Sequence, residues 1–383
     1  MSQNENIRFY QEHQIAPAVN VKRNQVQFLE KRKKLYRQLG IPLLCIDNKS
    51  VIEFGASCGE NSLPLVMGFG NIERGVQHID IVEPNKSGRD AIQSLFEENE
   101  IPLDRYSLYA DTLESFRSER KYDIIIAEQF LQHCTNWKEC LLNLKKHAGT
   151  NAVMIITCAD AIGLYPELMK RFVGRYMVRN ISEFDAKVGR LAEIFGEYLN
   201  SLKGMNKMHT DYIADTFFDD FGLNGAQMNM ADAIDFFKEE FDVLGASQSI
   251  FTDYSWYKDL EYDYISNYER QYQQKKHMFM FAGEADETVR SVEENKLLED
   301  AIQKALRFEA QSEKKDVVSI GEWIRIIDDV TKAAKRQKMT QFNTEFIDIL
   351  KRITNGENID LVKYPVFAGS FGKASQYLSF VRK

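Results

Sequence analysis

Between residues 50 and 160, short apolar runs alternate with amphipathic stretches. Ser50-Val-Ile-Glu-Phe54 ends at Gly55. Similar runs follow in His78-Ile-Asp-Ile-Val-Glu83, Tyr106-Ser-Leu-Tyr-Ala110, Tyr122-Asp-Ile-Ile-Ile-Ala127 and Ala152-Val-Met-Ile-Ile-Thr-Cys158. Short apolar runs bounded by turn residues predict buried strands. The gaps carry helical spacing, as in 88–98 and 137–147. Strands alternating with helices predict a doubly wound α/β fold around a parallel sheet. Runs that are continuous rather than alternating fit strands covered on both faces.

Outside this stretch the pattern changes. Residues 1–49 predict an amphipathic helical cap, centred on Val26-Gln-Phe-Leu-Glu-Lys-Arg-Lys-Lys-Leu-Tyr36. Its basic run, 31–34, reads as a solvated helix face, with contact to an anionic acceptor as the competing reading. Residues 161–240 predict a helical insert or lid. Within 241–283, the runs 247–252 and 277–282 predict the last two strands of a seven-stranded, mostly parallel sheet. Residues 284–383 predict a C-terminal helical extension, which could serve as a lid, an acceptor domain or the interface of a homodimer.

Composition narrows the class. The chain is 44% hydrophobic and 28% charged, with a formal net charge of −8. That is an ordinary globular balance, with no global field to attract nucleic acid or an anionic membrane. The N-terminal residues lack an apolar signal core, and no apolar run approaches the ~20 residues a membrane span needs. Five scattered cysteines read as free thiols in a reducing compartment, so a cytoplasmic location is expected. Cys134 and Cys140 match no standard zinc spacing, and no metal site is expected.

The chemistry gathers at the predicted strand ends. Glu53-Phe-Gly-Ala-Ser-Cys-Gly59 places an acid at the end of the first strand, followed by Gly55 and Gly59. Glycine allows a tight turn and lets backbone approach a ligand closely. The next helix would offer free N–H groups. The spacing is not Gly-x-Gly-x-x-Gly. Glu53 stands where a dinucleotide site needs its first glycine, and its charge repels a pyrophosphate but suits an ammonium-bearing ligand. Glu83, ending the second strand, can accept hydrogen bonds from two ribose hydroxyls. Asp111 and Thr112 follow the third strand; Glu128 and Gln129 follow the fourth. Open α/β sheets bind ligands at these carboxyl ends. Singly, each residue has a structural reading: an ion-pair partner for Glu53, a plain turn for the glycines, a strand end for Glu83, a helix cap for Asp111.

As a set, these residues resemble the class I S-adenosylmethionine-dependent methyltransferases over roughly residues 50–160. The resemblance implies a Rossmann-like methyltransferase sheet with S-adenosylmethionine as cofactor. Glu53, Gly55, Ser57 and Gly59 would form the cofactor loop and Glu83 would hold the ribose. Asp111 and Thr112 would lie near the adenine, and Glu128 or Gln129 beneath the cofactor. Ser57 departs from the family's frequent third glycine.

Methyl transfer to a hydroxyl often needs a base. His133, just past the fourth strand, is the first candidate; a histidine that merely shapes the pocket is the competing reading. His209 and Asp211, in Lys207-Met-His-Thr-Asp-Tyr212, form a second set if the insert covers the sheet, with a solvated acidic face as the alternative. The aromatics of 254–264 could stack on an acceptor ring or simply pack. The insert, Asp253-Tyr-Ser-Trp-Tyr257 and the closing Gln376-Tyr-Leu-Ser-Phe-Val-Arg382 are similar to bacterial methyltransferases of surface-polysaccharide or sugar-nucleotide modification. This implies a small polar acceptor such as a sugar nucleotide, methylated at oxygen. A nicotinamide-dependent oxidoreductase and a non-catalytic nucleoside-binding protein are the rivals. A nucleic-acid methyltransferase is disfavoured by the acidic balance.

Overall fold

The computed structural model describes residues 3–13, 15, 21–71, 74–131, 134, 136–201, 208–219, 228–248, 250–251, 264–284, 288, 290–315 and 319–383. The chain divides into two compact units. The first comprises Met1–Cys158, Met228–Glu269 and Ser375–Lys383; the second comprises Ala159–Gln227 and Arg270–Ala374.

The first unit is built on seven strands: β1 (Ser50–Phe54), β2 (His78–Val82), β3 (Tyr106–Tyr109), β4 (Tyr122–Ala127), β5 (Ala148–Ala159), β6 (Phe241–Ala246) and β7 (Ser375–Arg382). Their order is β3-β2-β1-β4-β5-β7-β6. The pairs β1–β2, β1–β4, β2–β3 and β4–β5 are parallel, and β6 pairs antiparallel with β7. This is the expected doubly wound, Rossmann-like and mostly parallel seven-stranded sheet. Strand order reverses between β1 and β4, which makes their carboxyl ends the switch point where such sheets bind ligands.

Both faces of the sheet are covered. Ile124, Ile125 and Ile126 are each at most 3% exposed, although successive side chains point to opposite faces. One face packs Val51, Ile79, Ile81, Ile126 and Ile155 with Tyr36, Ile92 and Phe96. Tyr36 comes from α2 (Val21–Gln38), which follows α1 (Gln3–Glu12). A short helix, α3 (Ser62–Val66), follows β1. Ile92 and Phe96 share a face of α4 (Lys86–Glu98), whose first turn is capped by Asn85. The strands β4 and β5 are joined through α5 (Trp137–His147).

In the second unit, Asp160 caps α6 (Ala161–Met177) and also accepts from Tyr272 Oη at 2.6 Å. Then come α7 (Phe184–Ser201) and α8 (His209–Ile213), the latter continued by a π-helical turn, Ala214–Phe218. The chain returns to the first unit for α9 (Met230–Phe237), and α10 (Tyr264–Lys275) runs from the first unit into the second. The helices α11 (Val292–Lys315), α12 (Ile320–Ala334), α13 (Gln337–Thr354) and α14 (Pro365–Gly369) complete the second unit. Trp323 is fully buried there, edge-on to Phe172, Phe308 and Phe346. No helix among the described residues is long and apolar enough to cross a membrane.

The first five strands lie where the apolar runs predict them. The last two do not. The predicted strand at 277–282 is a 3₁₀ turn, Lys276–Phe279, followed by a bend; His277, Phe279, Met280 and Phe281 are buried in the second unit. A short apolar run cannot distinguish a strand from any other buried segment. The predicted strand at 247–252 is displaced to β6. Residues 252–263, and with them nearly all the aromatic stretch, lie outside the described residues. The sequence of β6, Phe-Asp-Val-Leu-Gly-Ala, is broken by Asp242 and Gly245, which hides its period. Gly245 is required by close packing: a Cβ there would stand 2.6 Å from the carbonyl oxygen of Gln38 at the end of α2. The closing strand, β7, comes from the predicted helical extension. Its Phe380 packs on Phe237 of α9, with ring centroids 4.9 Å apart.

Candidate functional site

After β1 the backbone turns sharply. Gly55, Ser57 and Gly59 have φ of 69°, 53° and 82°. A Cβ at position 55 would lie 2.7 Å from Cδ1 of Phe130, so this position demands glycine on both counts. Ser57 adopts the left-handed conformation despite its side chain, and its N–H donates to Glu83 Oε2 at 2.8 Å.

Glu83 follows β2 and is 5% exposed. Its other oxygen accepts the N–H of Asn85 at 2.8 Å. Burial pushes its carboxyl up to about 7, and the two N–H groups hold it back from rising further. Each oxygen keeps a second lone pair, the equipment for a pair of ribose hydroxyls. The loop and Glu83 are seated against α4: a Cβ on Gly88 would meet the Ser57 carbonyl at 2.6 Å and Glu83 Cγ at 3.1 Å. Arg89 braces the turn by donating to the Glu83 and Pro84 carbonyls.

Glu53 lies on β1 and is 1% exposed. It accepts a hydrogen bond from Ser62 Oγ in the first turn of α3. Burial, reinforced by the nearby charge of Glu128, pushes it up to about 7, while Ser62 and Arg32 oppose the rise. Glu128, just past β4, forms a buried bidentate pair with Arg32 of α2, at 2.7 and 2.8 Å. The basic run is therefore not wholly solvated: Lys31 and Lys34 are exposed, but Arg32 is buried with its guanidinium over Tyr36. Glu128 thus has a protein partner at the position where the resemblance implies a cofactor neighbour.

Gln129 has a φ of 64° and reaches β7, donating to Tyr377 Oη at 2.9 Å and accepting from Ser375 Oγ at 3.2 Å. Asp111 closes its own turn, accepting the Thr112 N–H at 2.8 Å and the Ser115 hydroxyl. Thr112 Oγ1 lies 2.7 Å from Ser115 Oγ. The structure therefore gathers Glu53, Gly55, Ser57, Gly59, Glu83, Glu128 and Gln129 around adjacent strand ends. Asp111 and Thr112 form the turn after β3. His133 lies outside the described residues. His209 and Asp211 belong to α8 in the second unit.

Sequence reading did not single out Ser62, Asn85, Gly88 or Tyr377. Asn85 was detectable as a helix cap ahead of a periodic stretch. The helix glycine at 88 carried a weaker signal, since helix propensity alone disfavours it.

No protein-family model matches the sequence, and no curated protein matches it. Solved structures give partial similarities. One is an N-methyltransferase, NodS from Bradyrhizobium japonicum, crystallised with S-adenosylhomocysteine: 12% identity, 42% of this chain and 74% of that one, TM-score 0.31. Another is an S-adenosylmethionine-dependent methyltransferase from Clostridium acetobutylicum: 12% identity, 30% and 44% coverage, TM-score 0.26. A third is the [4+2]-cyclase SpnF: 10% identity, 34% and 44% coverage, TM-score 0.28. This chain spans less than half the length of the latter two.

Proposed function

We propose that the first unit binds S-adenosylmethionine at the carboxyl ends of β1 and β2 and that the protein transfers its methyl group to a small polar acceptor. The observation that carries this reading is the buried Glu83 carboxylate, held by the Ser57 and Asn85 N–H groups beside the Gly55–Gly59 turn. That arrangement suits a ribose diol next to a close backbone approach. Glu53, in place of a glycine, favours a cationic ligand over a pyrophosphate.

S-Adenosylmethionine supplies an already activated methyl group. The protein's own task is to orient, exclude water and move a proton. Glu83 accepts the ribose hydroxyls, and ionised Glu53 balances the ligand's ammonium charge. His133 is assigned as the base that takes the acceptor hydroxyl's proton, with His209 and Asp211 as the alternative set. The preferred acceptor is a sugar or sugar nucleotide methylated at oxygen, as in polysaccharide biosynthesis. Five free cysteines fit a cytoplasmic setting.

Calorimetry with S-adenosylmethionine tests the cofactor assignment. Glu83→Ala should weaken binding by about 1–3 kcal/mol, the scale of charged hydrogen bonds. Gly55→Val should abolish it by intrusion toward Phe130. Unchanged affinity in both folded variants removes this loop as the site. Incubating the protein with sugar nucleotides and the cofactor, followed by mass spectrometry for an added methylene, tests the acceptor.

A further inference from the structure

A second cluster lies in the first unit, built from side chains that the methyl-transfer reading does not use. Glu114 from the turn after β3, Cys134 from the segment after β4 and Cys140 from α5 bring one ligand atom each within 4.8 Å of one another. Both thiols are buried, at 2% and 1% exposure. Among the described residues this is the one group of three or more His, Cys, Asp or Glu side chains that converges in this way.

Two features point to a ligand. Glu114 Oε2 is buried with no hydrogen-bond partner, an unmet acceptor that a bound cation would satisfy. The Cys140 thiol donates a hydrogen bond to Glu114 Oε1 at 3.6 Å, a contact that a cation bound to both would replace. A tetrahedral zinc with Zn–S of about 2.3 Å and Zn–O of about 2.0–2.2 Å sets the S···O edge at about 3.5–3.7 Å. The Cys140–Glu114 edge already has this length, and the two edges to Cys134 lie within 4.8 Å.

We propose that Glu114, Cys134 and Cys140 bind one thiophilic divalent cation, zinc by preference, with water in the fourth position. Two sulfurs and one oxygen suit zinc better than magnesium or calcium, which take oxygen ligands. The balance is simple: on binding, the two thiols release their protons, and two thiolates and one carboxylate face a charge of +2. The cation would staple the turn after β3 and the segment after β4 to α5. Five residues separate the two cysteines, and the third ligand comes from a different inter-strand segment, so the sequence pattern conceals the set.

The test uses the full chain, kept reduced, loaded with zinc chloride and desalted. About one zinc per chain is expected, with none retained in Cys134→Ser/Cys140→Ser. Glu114→Gln should release zinc to a chromophoric chelator about tenfold or more readily. Two measurements on the unsubstituted protein decide the matter if the double variant does not fold. Cobalt(II) should give intense tetrahedral bands with sulfur charge transfer, and titrating the thiols of the zinc-loaded protein with a mercurial should release about one zinc per chain. Absence of zinc from the folded, reduced protein overturns the proposal. So do zinc retained by a folded double variant, a weak octahedral cobalt spectrum, and a Cys134–Cys140 disulfide in a protein that never takes up metal.

Discussion

At the scale of single residues, two buried carboxylates set the character of the strand ends. Glu53 and Glu83 are both pushed up from an ordinary value near 4.5 to about 7, chiefly by burial. A raised carboxylate binds its proton more tightly folded than unfolded. Its contribution to stability is fully present below about pH 4.5 and is lost as pH rises through about 7. The ligand-free protein should therefore pay an ionisation penalty at pH 8. Glu53→Gln should remove part of it, raising stability at pH 8 by about 1–3 kcal/mol and by less at pH 5. Thermal unfolding at both pH values, without cofactor, checks this. The same substitution should weaken binding of a cationic ligand, since the ionised carboxylate is lost. A variant that is more stable yet binds less separates a binding role from a structural one. His133→Ala is read by turnover instead. If His133 is the base, the rate should fall by roughly 10²–10⁴-fold with cofactor affinity nearly unchanged. Near-full turnover would move attention to His209 and Asp211. Of these residues, the acids and glycines next to strand ends were legible because their signal is local. Arg32 was not: a basic run on an amphipathic helix does not reveal which member turns inward to a carboxylate on a distant strand.

At the scale of elements, the bidentate Arg32–Glu128 pair fastens α2 to the end of β4. Breaking one half of a buried ion pair leaves an uncompensated charge. Arg32→Met should cost about 3–5 kcal/mol, while Arg32→Met combined with Glu128→Met should recover most of it. Urea denaturation of the two variants and the parent measures the difference. If the single and double variants are equally destabilised, the pair is not what holds α2 in place. The first five strands were readable because each is a short, mainly apolar run bounded by turn or helix signals. The strands β6 and β7 were not, for different reasons. Asp242 and Gly245 interrupt β6, and Gly245 is imposed by the backbone of α2, a long-range fact. β7 alternates polar and apolar positions at the end of a helical region, so its neighbours suggested a continuation of that helical pattern. The run at 277–282 showed the converse, apolar enough for a strand yet buried as a turn.

At the scale of the whole molecule, the first unit is assembled from three separated stretches of sequence, with the second unit drawn from the intervals. The sheet order seats β7 between β5 and β6, and β7 is the last of the strands in sequence. Removing residues 375–383 should therefore do more than shorten an edge. It should open a gap inside the sheet and free Phe237 from its Phe380 neighbour. The truncated chain should lose cooperative unfolding by circular dichroism and elute as aggregate on gel filtration. A monomeric, cooperatively folding product would show the sheet to be complete without it.

This placement has a consequence for synthesis. A ribosome delivers β1 to β5 early, then releases more than half the chain before β7 emerges. Throughout that interval β5 lacks a neighbour, and so does β6 once it is made, leaving backbone donors and acceptors open to pairing with other chains. Closing the gap joins residues far apart in sequence, a contact that forms slowly because a long loop must first be ordered. The nascent protein is thus vulnerable to misassembly until β7 has emerged, and its yield in a cell should depend on chaperone occupancy over that interval.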